Sequence, residues 1–142
     1  MDGSLHFDSK VCYHTCMEGG CHCGAIRYKL TKKPDWLGAC YCRDCQKISG
    51  APYIAFAGFR NGGVELLKGE PKNYESSDKV TRSFCSNCSS PFAFIYKDKP
   101  DDIYISVTTL DDPTDFGPQQ HIWVSRKMPW VCIDDKLPQR AE

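Results

Sequence analysis

The chain has no long hydrophobic run and no excess of charge. No apolar stretch in the 142 residues approaches the length of about 20 residues that a membrane-spanning helix needs. Eighteen basic residues balance eighteen acidic ones, and no five consecutive residues carry like charge. Binding to nucleic acid or to a membrane surface is therefore not indicated. Repeats, low-complexity segments and linkers are also absent, which predicts a single domain.

An export signal is not indicated either, because the first ten residues contain Asp2, Asp8 and Lys10 instead of an apolar leader. We therefore expect a cytoplasmic protein in a reducing compartment, where thiols persist.

Cysteine, in contrast, is abundant: the chain has ten, and seven of them fall into three tight groups. Structural zinc takes four tetrahedral ligands, whereas catalytic zinc usually keeps three protein ligands and one open position. The groups divide into four thiolates and three, which predicts two zinc ions per chain. The four-cysteine cluster comprises Cys21, Cys23, Cys85 and Cys88, and the three-cysteine cluster comprises Cys40, Cys42 and Cys45.

Disulfides are the alternative, since small secreted domains are also rich in cysteine. Residues two apart on an extended strand are too far apart for an unstrained bridge, so a Cys-x-Cys pair is a poor disulfide candidate. A chain of this length also buries enough surface to fold without covalent links. Zinc is therefore favoured over disulfides and over a redox Cys-x-x-Cys motif.

The remaining pattern is typical of a β-rich domain with metal ligands in its loops. Short runs of alternating, β-branched or aromatic residues are separated by Gly, Pro, Asn and Asp. One short helix is predicted over 43–49, ending at Gly50. The predicted strands cover residues 25–30, 53–59, 64–67, 79–84, 92–96 and 103–107.

Five motifs together resemble one family, the glutathione-dependent formaldehyde-activating enzymes, which includes centromere protein V. The resemblance runs from about Gly19 to Pro138, in the family's order and spacing. We accordingly divide the chain into an N-terminal extension (1–18), a zinc-binding domain (19–138) and a C-terminal tail (139–142). The motifs are Gly20–Tyr28, Cys40–Cys45 with Ser49–Pro52, Phe84–Cys88 with Ser90-Pro91, His121–Trp123, and Pro129-Trp130.

The resemblance implies a mainly β fold of short antiparallel sheets, known as the β-tent or Mss-four-like fold. It also implies a structural zinc on the four-cysteine cluster and a second zinc on the three-cysteine cluster. The chain departs from the family at Ser86 and Ser89, where glycine is usual. Serine can adopt a positive φ for about 1 kcal/mol, so these departures leave the metal site intact.

A zinc ion held by only three thiolates readily accepts another soft ligand, and a small thiol suits that position. Together with the resemblance, this predicts a carbon-sulfur lyase in which Cys40, Cys42 and Cys45 are catalytic. Its partners would be glutathione or a similar thiol and formaldehyde or a related aldehyde, which combine to an S-hydroxymethyl adduct. The alternative is a non-catalytic, zinc-stabilised binding module or an adduct carrier.

Candidate substrate-binding residues are His121, Trp123 and Trp130, each of which could equally be part of the core. Arg43 and Lys47 lie beside the three-cysteine cluster and could meet a glutathione carboxylate.

Three cysteines remain outside the two clusters. Cys132 lies in the apolar run 130–133 and is predicted to be a small buried hydrophobe. Cys12, His14 and Cys16 alternate along one strand face, which makes an extra metal site possible, and a simple N-terminal strand or tail is the alternative.

Overall fold

The structure is a computed structural model and describes residues 17–142. This range contains ten strands, one α-helix and two short 3₁₀ turns, Val107–Thr109 and Val124–Arg126. None of the helices in this range is long and apolar enough to cross a membrane. The bounds are β1 Glu18–Gly20, β2 Arg27–Leu30, β3 Trp36–Cys40, α1 Arg43–Ser49, β4 Ile54–Phe59, β5 Val64–Lys68, β6 Lys72–Glu75, β7 Val80–Phe84, β8 Pro91–Tyr96, β9 Ile103–Ser106 and β10 His121–Ile122.

The predicted helix is confirmed with its predicted bounds, and all six predicted strands are present within one or two residues of the predicted ends. Four further strands, β1, β3, β6 and β10, were not predicted from the pattern. Three of them are polar, short or interrupted by glycine, so they lack the alternation that identifies a half-buried strand.

The strands form two sheets. A three-stranded antiparallel sheet has the order β1-β2-β5, and a seven-stranded sheet has the order β10-β3-β4-β9-β8-β7-β6. All pairings within the larger sheet are antiparallel except that of β10 with β3, which is parallel and places His121 beside Ala39. The family's expected architecture, mainly β with one short helix, is therefore present.

The alternation of side chains along β3 and β4 gives the larger sheet two different faces. On one face, Leu37 and Phe59 join the main core, which also contains Tyr28 and Leu30 of the smaller sheet. On the opposite face, Cys40 packs with aromatic residues in a second cluster that includes Phe56 and Phe94. The three-cysteine cluster consequently lies on the outer face of the larger sheet, away from the smaller sheet.

Candidate metal centres

The four-cysteine cluster joins two turns that are distant in sequence. Cys21 and Cys23 lie between β1 and β2, whereas Cys85 and Cys88 lie between β7 and β8. All four sulfur atoms are within 4.8 Å of one another. The Sγ–Sγ distances are 3.6 Å for Cys21–Cys23 and 3.8 Å for Cys23–Cys85. A zinc–sulfur bond of about 2.3 Å implies tetrahedral sulfur–sulfur separations of about 3.8 Å. The cluster therefore fits a tetrahedral metal ion.

Backbone and hydroxyl donors to these sulfur atoms favour the thiolate form, although burial and the Cys21 and Cys88 side chains raise the pKa of Cys85 to about 11 overall. The amide of Ile26 donates to Cys21 Sγ over 3.2 Å, and the amides of Asn87 and Cys88 each donate to Cys85 Sγ over 3.4 Å. The Ser90 hydroxyl lies 3.1 Å from Cys88 Sγ and lowers the pKa of that thiol to about 5. Since a metal binds the thiolate and not the thiol, these donors suit a metal site.

Ser89 takes the positive φ that its position in the turn requires, with a value of 67°. Ser86, in contrast, is not among the described residues with positive φ. The predicted cost of a serine therefore applies at Ser89 alone.

The three-cysteine cluster is built around the start of α1. Cys40 ends β3, Cys42 is the N-cap of the helix, and Cys45 lies in its first turn. The amide of Cys45 donates to Cys42 Sγ over 3.3 Å, and Gly50 ends the helix in a left-handed conformation. The three sulfur atoms lie within 4.8 Å of one another. Both ends of this short helix are therefore stabilised by caps, and the N-cap residue is itself one of the clustered cysteines.

Electrostatics within this cluster also suit a bound cation. Hydrogen bonds from Cys40 and then Cys45 lower the pKa of Cys42 to about 2, while the hydrogen bonds to Cys42 and Cys45 raise the pKa of Cys40. One sulfur therefore holds negative charge readily, and a second resists it because the first is so close. Three thiolates at this spacing require a positive charge among them, which a divalent metal ion supplies.

A cleft of about 460 Å³ opens beside this cluster. Cys40 and Cys45 are buried, whereas Cys42 is partly exposed and faces the cleft. The walls combine aromatic and basic residues, and Asp44 is the one acidic residue among them. The aromatic residues are Trp36, Phe56, Phe94, Tyr96 and Trp123, and the basic residues are Arg43, Arg82 and Arg126.

Arg82 is a basic residue of the cleft that contacts one of the sulfur atoms. Its Nη2 atom lies 3.7 Å from Cys45 Sγ, and its Nε atom donates to the Ser76 hydroxyl over 3.2 Å. The guanidinium also lies over the Phe94 ring, 5.6 Å from the ring centre. The positive charge of Arg82 is therefore fixed at the edge of the cluster.

His121 lies outside the cleft. It is 4% exposed and both ring nitrogens have partners: Nδ1 is 2.9 Å from the Tyr41 hydroxyl, and Nε2 is 2.9 Å from Asp135 Oδ2. No nitrogen of the ring is left to contact a substrate. The structure therefore places His121 among buried, hydrogen-bonded residues and not on the wall of this cleft.

Of the two tryptophans predicted to bind substrate, Trp123 and Trp130, Trp123 lines the cleft and is 37% exposed. It also has a positive φ of 58°, which is rare for a bulky residue. Trp130 is 70% exposed and lines a separate shallow depression together with Lys47 and Pro52. The structure therefore brings only Trp123 to the three-cysteine cluster.

The prediction that Cys132 is buried is wrong. Cys132 is an exposed free thiol in a segment without regular structure, and the adjacent Trp130 is exposed as well. This segment is fixed by the Lys127 ammonium, which donates to the carbonyl oxygen of Val131 over 2.6 Å, rather than by burial of its apolar side chains. All eight cysteines within 17–142 are free thiols. The possible extra metal site at Cys12, His14 and Cys16 lies outside the described residues.

Three residues of the site were not identified from the sequence: Tyr41, Arg82 and Asp135. Tyr41 lies between two predicted ligands, which is a signal that could have drawn attention to it. Arg82 and Asp135 are separated from the cluster by tens of residues, and nothing in their local sequence marks them.

The two-sheet fold and the paired thiol clusters define a class of small, mainly β proteins with two cysteine groups that could each hold a metal ion. The chain belongs to the family described as glutathione-dependent formaldehyde-activating enzyme, whose sequence profile matches residues 16–126. The predicted family is thus confirmed.

A solved structure shares this fold. The crystal structure of a Rhodobacter sphaeroides protein from a structural genomics programme is similar with a TM-score of 0.54 and 19% sequence identity. The match covers 87% of this chain and 99% of that chain. At this level of identity the similarity concerns the fold.

Proposed function

We propose that the protein is a zinc-dependent carbon-sulfur lyase that forms or cleaves the S-hydroxymethyl adduct of a small thiol, such as glutathione, with formaldehyde or a related aldehyde. The observation that carries this proposal is the difference between the two clusters. The four-cysteine cluster supplies a complete tetrahedral set of donors, whereas the three-cysteine cluster supplies three and borders a cleft. We further propose that the cluster residues are the metal ligands and that two zinc ions bind per chain.

A zinc ion held by Cys40, Cys42 and Cys45 would supply one kind of chemistry, a coordination position at which a further thiol would lose its proton. The protein's own residues bind and orient the rest of that thiol. Arg82, Arg43 and Arg126 present three guanidinium groups to the cleft, and these bind carboxylates such as those of glutathione in a bidentate manner. Trp123 and the other aromatic walls cover the bound thiol and exclude water.

The chemical step forms one bond and moves one proton. The thiol sulfur adds to the aldehyde carbon, the π electrons of the carbonyl move to its oxygen, and the proton lost by the thiol ends on that oxygen. Cleavage is the reverse. Because thiols and formaldehyde also combine without a catalyst, the contribution of the cleft is to hold the two reactants in contact and in the reactive orientation.

The proposal also includes the domain bounds and the cellular location predicted from the sequence. We assign the lyase function to residues 19–138, with 1–18 as an extension and 139–142 as a tail. The backbone of this tail runs beside β10, where the amide of Arg140 donates to the carbonyl of His121 over 2.8 Å. A reducing cytoplasm is the expected location, because thiols persist there and none of the eight cysteines within 17–142 forms a disulfide.

The experiment uses protein with cobalt in the three-cysteine cluster and glutathione as the probe. If glutathione becomes the fourth ligand, the sulfur-to-metal charge-transfer band grows during the titration and protons are released. S-methylglutathione, whose sulfur cannot ionise, is the matched control and should leave the band unchanged. The zinc protein should then consume formaldehyde and glutathione faster than the Cys42→Ser variant does.

The outcomes separate the candidate functions. A spectral change together with a higher rate supports the lyase. A spectral change without a higher rate overturns the lyase and leaves an adduct-binding protein. If neither changes, the protein is a non-catalytic binding module with two structural metals.

A further inference from the structure

Three hydrogen-bonded side chains lead from the surface to the segment that carries the three-cysteine cluster: Asp135 is exposed, whereas His121 and Tyr41 are buried. The carboxylate of Asp135 contacts Nε2 of His121 at 2.9 Å through one oxygen and 3.1 Å through the other, and the phenol of Tyr41 contacts Nδ1 at 2.9 Å. The Tyr41 and His121 rings also pack together, with centres 5.6 Å apart. Each group therefore fixes the orientation of the next.

Tyr41 connects this chain to the metal site because it lies between Cys40 and Cys42. Its amide donates to the carbonyl of Ile122 over 3.1 Å, and its carbonyl accepts from the Gln46 side chain over 2.8 Å. The backbone of Tyr41 is thus held on both sides, and its side chain is anchored by the phenol contact with His121 and by packing on the Tyr53 ring, whose centre is 5.0 Å away. Movement of the ring would alter the separation of the two sulfur atoms.

Asp135 is held in place by the segment that follows it. Its Oδ1 atom accepts from the amide of Leu137 over 3.1 Å, and the amide of His121 donates to the carbonyl of Pro138 over 2.8 Å. Gln139 then forms a parallel bridge with His121. Asp135 lies beyond the residues that match the family profile, which end at 126, whereas His121 lies within them.

We propose that Asp135 is a positioning residue for the three-cysteine cluster and acts through His121 and Tyr41. The inference rests on the proposed binding of zinc by that cluster. The side chain of Asp135 is 43% exposed, so water screens its charge and its effect is mainly geometric. Removing an outer partner of a metal ligand typically weakens metal binding about 10-fold to 100-fold. Asp135 stands two groups further out, beyond Tyr41 and His121, and we expect the lower end of this range.

The test measures the release of zinc from the full chain to a chromogenic chelator and requires no thiol or aldehyde. The wild-type protein should release its two ions in two phases, and the phase that is absent from Cys42→Ser belongs to the three-cysteine cluster. In Asp135→Asn this phase should be about 10-fold faster, and the other phase should not change. Asp134→Asn is the matched control, because it removes the same charge from an exposed neighbouring residue.

Two further variants show whether the effect passes along the chain of contacts. Tyr41→Phe removes only the phenol oxygen and should accelerate the same phase. The double variant Asp135→Asn/Tyr41→Phe should release zinc no faster than the faster of the two single variants, because both substitutions break the same chain of contacts. Asp135→Glu, which keeps a carboxylate, should restore most of the slow release.

The inference is overturned if Asp135→Asn releases zinc as Asp134→Asn does, or if both phases accelerate equally, which would indicate general loss of stability. It is also overturned if the effects of Asp135→Asn and Tyr41→Phe simply add. These results would leave the proposed lyase function untouched. A wild-type protein with a single phase and a single zinc ion would instead contradict both proposals.

Discussion

Arg82 and Cys45 belong to different elements, yet the Arg82 Nη2 atom lies 3.7 Å from the Cys45 sulfur. Arg82 is in β7, and this strand continues directly into Cys85 of the four-cysteine cluster. One five-residue strand therefore connects the two clusters. A disturbance that displaces β7 at the four-cysteine cluster is expected to move Arg82 as well.

The Arg82 charge should matter for binding more than for folding. We expect Arg82→Gln to weaken the binding of glutathione about 10-fold, since a hydrogen bond to a charged group contributes about 1.5–3 kcal/mol. Titration of the cobalt protein measures this change, and urea denaturation should show little loss of stability. Arg60→Gln, at an exposed turn, is the control. Equal affinities in the two variants would show that Arg82 does not contact the thiol.

The two clusters should differ in their effect on stability. Elemental analysis should give two zinc ions per wild-type chain and one in both Cys85→Ser and Cys42→Ser. Cys85→Ser should also lose much of its folding free energy, because the four-cysteine cluster joins turns more than sixty residues apart. Cys42→Ser should keep most of it. An equal fall in the urea midpoint of both variants would instead mean that the second site is structural too.

Trp123 allows the backbone and the side chain to be tested separately. Because its φ is 58°, Trp123→Gly should be more stable than Trp123→Ala by about 1 kcal/mol. Both variants remove the same aromatic wall, so both should weaken glutathione binding to the same extent. Urea denaturation and the cobalt titration measure the two effects. An alanine variant as stable as the glycine variant would rule out backbone strain at this position.

Burial of Tyr28 should make stability depend on alkaline pH. Its side chain is fully buried, which raises the pKa of the phenol to about 12. The folded protein therefore keeps this proton between pH 10 and pH 12, while the unfolded chain loses it. The contribution of the Tyr28 phenol to the free energy of unfolding is fully present below pH 10. Above pH 10 the free energy of unfolding should fall by up to about 1.4 kcal/mol per pH unit.

Tyr28→Phe should reduce this slope, although it also loses the hydrogen bond to the Thr109 hydroxyl and is less stable at neutral pH. Tyr74→Phe, on the exposed edge strand β6, should keep the slope of the wild type. Unfolding by urea at several pH values measures both. Identical slopes in wild type and Tyr28→Phe would contradict the prediction.

Local signals explain which parts of the fold the sequence could predict. Helix α1 was predicted with its bounds because local sequence marks both ends: it follows the three-cysteine cluster, and Gly50 ends it. Strand β3 was not, since Gly38 interrupts its pattern; a Cβ at this position would lie 2.4 Å from the Trp36 ring, so only glycine fits. Strand β10 has two residues and exists through its pairing with β3, which no local pattern can show.

The same distinction applies to the site. Cysteines that share a cluster are mostly neighbours in sequence, so their spacing predicted the two groups that the structure brings together. The side chains around them come from distant elements: Arg82 from β7 and Asp135 from the C-terminal segment. The apolar run around Cys132 suggested burial, but burial depends on what packs against a segment, and this segment remains at the surface.

The contact between Asp135 and His121 has a consequence for the order in which the molecule is assembled. A chain is synthesised from its N-terminus, and early parts can fold while later parts are still being made. All residues of the four-cysteine cluster are available once Cys88 has been added. The surroundings of the three-cysteine cluster, in contrast, are complete only after Asp135 has been added and has reached His121. All cysteines of the four-cysteine cluster are therefore present in the newly made chain before the surroundings of the three-cysteine cluster are complete.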